Sequence, residues 1–284
     1  MSAQAMTSSE FRKMILAWYR DHRRDFPWRE TRDPWAILLS EVMLQQTQTQ
    51  RVVPKYLAFL EAFPEPGALA AAPISGLLTL WSGLGYNRRA LGLKRAAEEI
   101  TLRFGGTVPS SEEELLSLPG IGPYTSAAVR AFAFGQAVVL LETNVRAAFI
   151  HHFFPDSSEV SDREILPLVA EALDRGDPRN WYYALMDYGA DLKKRLPNPG
   201  RRSAHYTKQS AFAGSHRRVR GEVLKALAGG VLHEVTLAQR LPFARERVEK
   251  AAAELVAEGF LERYGVELGL AGQLPDGNHD LGGD

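Results

Sequence analysis

The chain has 284 residues, 45% of them hydrophobic, which is enough for a sizeable core and excludes general disorder. Lys plus Arg and Asp plus Glu each number 34, which excludes a uniformly basic surface but leaves room for a local basic face. Cysteine is absent, so disulfides, thiolate metal sites and cysteine-held iron–sulfur clusters are excluded. No apolar signal core opens the chain, and no apolar run reaches the roughly 18 residues a membrane helix needs. The expectation is a cytoplasmic protein without a membrane partner, acting as a monomer.

In chain order, an amphipathic helix is predicted from about Ser9 to His22, and Phe26-Pro27-Trp28-Arg29 ends it. Asp33-Pro34 pairs an N-cap acceptor with a proline in the first turn and predicts a helix running to about Gln50. Gly67, Gly83-Leu84-Gly85 and Gly105-Gly106 mark turns between further helices. Few stretches alternate with period two, so the fold class is mainly α. Lys193 to Gly221 is basic and rich in turn residues, and reads as a crossing segment. From Arg217 to about Leu268 the pattern is winged-helix-like. One helix ends near Gly229-Gly230, a short one covers Thr236–Leu241, a longer one covers Ala244–Glu258, and a strand follows over Gly259–Tyr264. The Gly- and Asp-rich tail, 269–284, is expected to be disordered.

Three stretches carry chemistry. Leu118-Pro119-Gly120-Ile121-Gly122-Pro123-Tyr124 follows an acidic helix (Glu112 to Ser117) and precedes another. This is a hairpin in which Gly120, Ile121 and Gly122 can bring backbone N–H groups up to a phosphate at the start of the second helix. In Leu39-Ser40-Glu41-Val42-Met43-Leu44-Gln45-Gln46-Thr47-Gln48, residues Glu41, Gln45 and Gln48 fall at helical spacing beside apolar Ile37, Leu38 and Leu44. A carboxyl there is partly desolvated, which raises its pKa and suits a general acid. In Leu140-Leu141-Glu142-Thr143-Asn144-Val145-Arg146, an apolar run delivers Glu142 to a helix start, where the dipole favours the charged form. Taken singly, Glu41 reads as part of a solvent-facing polar stripe and Glu142 as a plain helix-start acid. Together they divide as an acid and an ionised stabiliser would.

These strings, with Phe26-Pro27-Trp28-Arg29, Gly83-Leu84-Gly85-Tyr86 and Ala184-Leu185-Met186-Asp187-Tyr188-Gly189-Ala190, resemble the adenine DNA glycosylases of the MutY type within the endonuclease III superfamily. The resemblance covers about residues 10–192. It implies a two-lobed helix-hairpin-helix glycosylase fold with a DNA cleft. One lobe would be 30–133, with the hairpin at 112–134. The other would join 10–29 to 134–212, and the winged-helix-like module would be 216–268. It implies Glu41 as the acid that protonates the departing base and Glu142, at a family aspartate position, as stabiliser of the sugar cation. Asn144 and Tyr124 fall with this catalytic set. It further implies Trp28, Arg29, Gln46 and Asp187 in the base pocket and Gln45 and Tyr86 as wedges in the base stack. The carbonyls of Leu116, Leu118 and Ile121 match a monovalent-cation site.

The chemistry implied is flipping of a base from duplex DNA and hydrolysis of its N-glycosidic bond, with two carboxylates around an oxocarbenium-like transition state. Tyr124 stands where bifunctional relatives carry a Schiff-base lysine, so a monofunctional enzyme in base excision repair is expected. Three departures bear on the substrate: glutamate at 142, no cluster cysteines after Ala190, and no C-terminal domain of the type that reads 8-oxoguanine. Arg201, Arg202 and Lys208 in the basic segment are expected to take over phosphate contacts from the cluster loop. Adenine in a mispair is the expected target. The alternatives are uracil, thymine or a modified pyrimidine on the same scaffold, a bifunctional glycosylase/lyase, or a non-catalytic DNA-binding module.

Overall fold

The computed structural model describes residues 6–207 and 214–273. In chain order the helices are α1 (Ser8–His22), α2 (Pro34–Leu44), α3 (Thr49–Ala62), α4 (Pro66–Ala71), α5 (Ile74–Trp81), α6 (Arg88–Phe104), α7 (Glu112–Leu116), α8 (Pro123–Phe132), α9 (Thr143–Phe153), α10 (Asp162–Ala172), α11 (Pro178–Arg195), α12 (His216–Leu227), α13 (Glu234–Arg240) and α14 (Arg245–Ala257). Three short strands, β1 (Leu232–His233), β2 (Leu261–Tyr264) and β3 (Glu267–Leu270), form an antiparallel sheet in the order β1-β3-β2. The mainly helical character expected from the sequence holds.

Two compact units result: residues 1–42 with 108–208, and residues 43–107 with 209–284. These boundaries differ from the lobes expected at 30–133 and at 10–29 with 134–212. The hairpin of α7 and α8 belongs with α1, because α8 packs on α11. Phe132 stacks on Tyr183 at 4.6 Å, and the Arg179 guanidinium donates to the Phe132 carbonyl.

In the first unit, α1 starts on a capping box: the Thr7 hydroxyl accepts from Glu10 N, and the Glu10 carboxylate accepts from Thr7 N. Its buried residues Phe11, Ile15 and Tyr19 recur every four positions and face the core. Phe11 meets Phe149, Phe153 and Trp181 edge-on, at centroid distances of 5.0, 5.1 and 6.1 Å. Helix α11 lies directly on the start of α9. A Cβ at Gly189 would stand 2.1 Å from the Asn144 carbonyl oxygen, so the two backbones meet where only glycine fits.

The second unit begins inside α2, and here the structure corrects the sequence reading. The helix ends at Leu44 rather than near Gln50, and Gln46 takes a left-handed φ of 55°. Gln45 and Gln48 therefore do not extend the face that carries Glu41. Arg89 holds the break. Its guanidinium donates to the carbonyls of Met43 (2.9 Å), Gln45 (2.6 Å) and Gly85 (3.0 Å) and to the Thr47 hydroxyl (3.0 Å). These are backbone acceptors that a helix end leaves open. Helix α4 is closed the same way, by buried Lys94 donating to Ala70 O at 2.7 Å.

The order α12, β1, α13, α14, β2, β3 is that of a winged helix, and β2 and β3 form the wing where a single strand was expected. Its core, including Val219, Val223, Leu227, Val248, Leu255 and Phe260, continues into Leu78 of α5 and Leu91 of α6. The module therefore shares one core with residues 43–107. The expected disordered tail is corrected at its start, since Gly269 and Leu270 belong to β3; residues 274–284 lie outside the described residues.

The contact at Gly189 gives a direct prediction. Gly189→Ala forces α11 away from α9 against backbone, a clash no rotamer relieves. Urea denaturation is expected to show a loss of about 3 kcal/mol or more, at the upper end of overpacking effects.

Candidate active site

Glu41 lies in a helix that is apolar all round. Trp35, Ile37, Leu38, Leu39, Val42 and Met43 are all buried, and Glu41 is 5% exposed. A carboxyl delivered there meets one hydroxyl: Tyr124 O–H, on the first turn of α8, donates to Glu41 Oε2 at 3.0 Å. Burial pushes the Glu41 carboxyl up from 4.5 to about 7; the Tyr124 hydrogen bond opposes this and the charge of Glu142 adds to it. Tyr124 is pushed well above its usual value by burial and by the two carboxylates, so it stays a neutral hydroxyl.

Glu142 is the N-cap of α9. Its Oε1 accepts from Asn144 N (2.6 Å) and Val145 N (2.9 Å), and its Oε2 accepts from the Thr143 hydroxyl (3.0 Å) and Asn144 Nδ2 (3.2 Å). The longer glutamate side chain folds back on its own helix start, a place more often held by Asp, Asn, Ser or Thr. Glu41, Tyr124 and Glu142 thus lie within electrostatic reach of one another, one carboxyl buried and still partly protonated at neutral pH, the other held by donors.

Behind them is a buried ion network. Asp187 on α11 receives both Arg29 terminal nitrogens at 2.8 Å, Arg24 Nε at 2.7 Å and Arg24 N at 2.9 Å. All four acceptor positions of that carboxylate are filled. Burial alone would raise the Asp187 pKa, but Arg29 and Arg24 outweigh it and hold the group below its usual range. The Arg29 guanidinium lies 4.5 Å over the Tyr183 ring. Trp28 is buried, stacked on Phe26 at 4.9 Å.

Other expected residues are placed as follows. Gly120 has a φ of 77° in the hairpin turn, closed by Ile121 N donating to Leu118 O at 3.2 Å. Gly122, at φ −97°, is the N-cap of α8, and a Cβ there would meet open space. The Leu116 side chain is exposed and that of Leu118 buried. In the second unit, Gln45 and Tyr86 are half-buried and Gln46 is exposed; Tyr86 has a positive φ of 50°. Arg201 is exposed. Arg202 departs from the expectation of a free phosphate ligand. Its guanidinium donates to the carbonyls of Ser157 (2.8 Å), Pro155 (3.1 Å) and Ile150 (3.2 Å), closing the end of α9. Lys208 lies outside the described residues.

Two cavities open elsewhere in the first unit, and neither is lined by Glu41 or Glu142. One, of about 160 Å³, includes Arg29, Arg179 and Tyr183; the other is a shallow surface hollow between Arg20 and Glu30. Two residues of the site were not singled out in the sequence. Tyr183 is buried with its hydroxyl unpartnered, and its ionisation is opposed by the Glu41 charge as well as by burial. It stands four positions before Asp187, on the same helix face, which was a readable signal. Lys193 donates to Asn144 Oδ1 at 2.9 Å; its place in a basic run concealed it.

A buried acid, a hydroxyl and a second carboxylate at a helix start, beside a glycine hairpin, now have a family. Residues 39–170 match the HhH-GPD superfamily base excision DNA repair protein model. The chain belongs to this superfamily. It is 34% identical over 294 residues to the adenine DNA glycosylase of Mycolicibacterium smegmatis, covering 95% of each chain. It is 34% identical over 190 residues to that of Buchnera aphidicola, covering 65% of this chain and 53% of the other. A solved thermostable thymine-DNA glycosylase superposes with a TM-score of 0.58 at 29% identity, over 64% of this chain and 86% of that one. The protein is a DNA glycosylase of helix-hairpin-helix fold. No helix among the described residues is long and apolar enough to cross a membrane.

The glycosylase should show the Glu41 titration twice. Its folded pKa is raised, so the neutral acid is favoured at low pH and that contribution is lost as pH rises through about 7. Glu41→Gln is expected to lower the single-turnover excision rate by about 100- to 10,000-fold. The same variant should be more stable than wild type at pH 8.5, by up to about 3 kcal/mol, and no more stable at pH 4. Thermal melts at the two pH values check it, and equal shifts at both would refute the assignment. Asp187→Asn leaves Arg29 buried without its counter-charge and is expected to destabilise by about 3 kcal/mol, measured by urea titration.

Proposed function

We propose that this glycosylase excises adenine from mispairs in duplex DNA by hydrolysis and leaves the strand uncut. The observation that carries the reading is a carboxyl that keeps its proton near neutral pH, held by Tyr124 and coupled to Glu142. Glu41 gives its proton to the base, the C1′–N bond breaks, and its electron pair leaves with the base. The Glu142 carboxylate offsets the positive charge that develops on the sugar. Water adds to C1′, and its released proton restores Glu41.

Adenine as target rests on the likeness to adenine DNA glycosylases, one of them matched along nearly its whole length. Hydrolysis without strand cleavage rests on Tyr124, whose phenol cannot form a Schiff base with the opened sugar. Trp28 and Arg29 would line the base pocket, with Asp187 acting through Arg29 because its own acceptors are filled. On the second unit, Gln45 and Tyr86 would act as wedges and Gln46 would contact the base. Gly120, Ile121, Gly122 and exposed Arg201 would hold phosphates, with the hairpin carbonyls of Leu116, Leu118 and Ile121 as a monovalent-cation site. A thymine-removing reading is the second candidate, favoured by the likeness to a thymine-DNA glycosylase.

Duplexes carrying adenine opposite guanine or 8-oxoguanine, thymine opposite guanine, and uracil opposite guanine separate these readings after treatment with hot alkali. The expected result is nicking of the adenine duplexes alone, no nick before alkali, and no borohydride-trapped adduct. Release of thymine or uracil with adenine untouched would replace the proposal by the second reading. A trapped adduct would contradict the hydrolytic step.

A further inference from the structure

Lys193 lies in the last turn of α11, four residues after Gly189, and so on the face that meets the start of α9. Because Gly189 lets the backbones touch, the half-buried lysine reaches Asn144, and its Nζ donates to Asn144 Oδ1 at 2.9 Å. The Asn144 amide nitrogen in turn donates to Glu142 Oε2 at 3.2 Å. An amide can be turned either way, but an ammonium only donates. It therefore fixes the oxygen of Asn144 towards itself and the NH₂ towards Glu142.

We propose that Lys193 is a positioning residue for excision, locking the Asn144 amide so that it donates to Glu142 and aims that carboxylate at the sugar. Like the catalytic roles above, this rests on the glycosylase reading of Glu142. The surroundings fit a buried, working contact. Burial lowers the Lys193 pKa while Glu142 opposes that, so the ammonium's attraction is directed at the carboxylate. Among the described residues no carboxylate is hydrogen-bonded to it directly; its neighbours Lys194 and Arg195 are exposed, and Arg195 is paired with Asp191 at 2.6 Å. Lysine at this point of the chain is thus separated in role from the basic run that contains it. An ion–amide–carboxylate chain thus ties the end of α11 to the start of α9.

The test compares wild type, Lys193→Met, Lys193→Arg and Asn144→Ala, with the double variant K193M/N144A. Each is measured for single-turnover excision on the duplex the wild type cleaves, for Kd with that duplex and for Tm. Lys193→Met is expected to slow excision by about 10-fold or more with Kd nearly unchanged, the scale of one charge-assisted hydrogen bond. Lys193→Arg should recover most of the rate, and K193M should add little on top of N144A. A K193M rate within twofold of wild type overturns the proposal. So does weaker binding at an unchanged rate, which marks a phosphate contact, or full additivity with N144A. If K193M loses its fold, Lys193→Gln is measured in its place against the same outcomes. A wild type that excises no base at all defeats the glycosylase mechanism itself, whereas an active wild type with an indifferent K193M defeats only this inference.

Discussion

The chemistry of this glycosylase depends on one carboxyl keeping its proton in a protein full of arginine. Glu41 is surrounded by apolar side chains of its own helix and has a single hydroxyl beside it. Arg29 is close enough for its charge to pull the Glu41 pKa down. Arg29 is itself held in the buried ion network, where Asp187 takes both of its terminal nitrogens. With that pairing in place Arg29 still lowers the Glu41 pKa, but burial outweighs it and the Glu142 charge adds to burial. The network is thus part of the acid's environment through Arg29, with Asp187 acting behind it. A buried ion pair contributes little net stability by itself, so its value here lies in fixing the Arg29 guanidinium in place.

The second carboxylate is governed by backbone distance. Glu142 caps α9 through that helix's own donors, and α11 joins them by coming within glycine contact of Asn144. A side chain at 189 would separate the helices, and Lys193 would no longer reach the amide. The acid and the stabiliser therefore depend on different physics: one on desolvation within a single helix, the other on the packing of two. Both act on Tyr124, whose hydroxyl is kept from ionising by burial first and then by the charges of the two carboxylates.

The helix class, the hairpin and the two carboxylates were legible in the sequence because each rests on local rules: apolar periodicity, a Gly-x-Gly turn, an acid at a helix start. The end of α2 was not. Nothing in Leu44-Gln45-Gln46-Thr47-Gln48 breaks a helix, and the break is made by Arg89, more than 40 residues away, occupying the carbonyls that would have carried the helix on. Arg202 was misread for a related reason. Its place in a basic run suggested a phosphate ligand, yet its donors close α9 from a distance in the chain. Lys193 is the converse case, a cation counted with its neighbours that is set apart by a tertiary contact. Arginine and lysine donate wherever carbonyls are left open, and sequence does not say which ones those are.

The C-terminal module shows how far composition can mislead about independence. A run of three helices and a wing after a basic crossing reads as a separate reader domain. In the structure its apolar face is buried together with Leu78 and Leu91. Arg88 of α6 and Arg220 of α12 both pair with Glu258, holding its pKa down to about 2. The same junction reaches Tyr86: its ring lies 5.5 Å from the Arg89 guanidinium and 5.0 Å from that of Arg217, and Arg217 also donates to its hydroxyl. Tyr86 and Gln46 are the non-glycine residues with positive φ among those described, and such backbone persists only where its surroundings over-determine it. Arg89 meets both strained segments, through the carbonyls beside Gln46 and over the ring of Tyr86, and Arg217 adds the module's own contact. Removing the module would strip apolar cover from α5 and α6 and one of the two cations that flank Tyr86. Its first role is therefore to complete the unit that presents these residues, and any contact it makes with DNA is built on that.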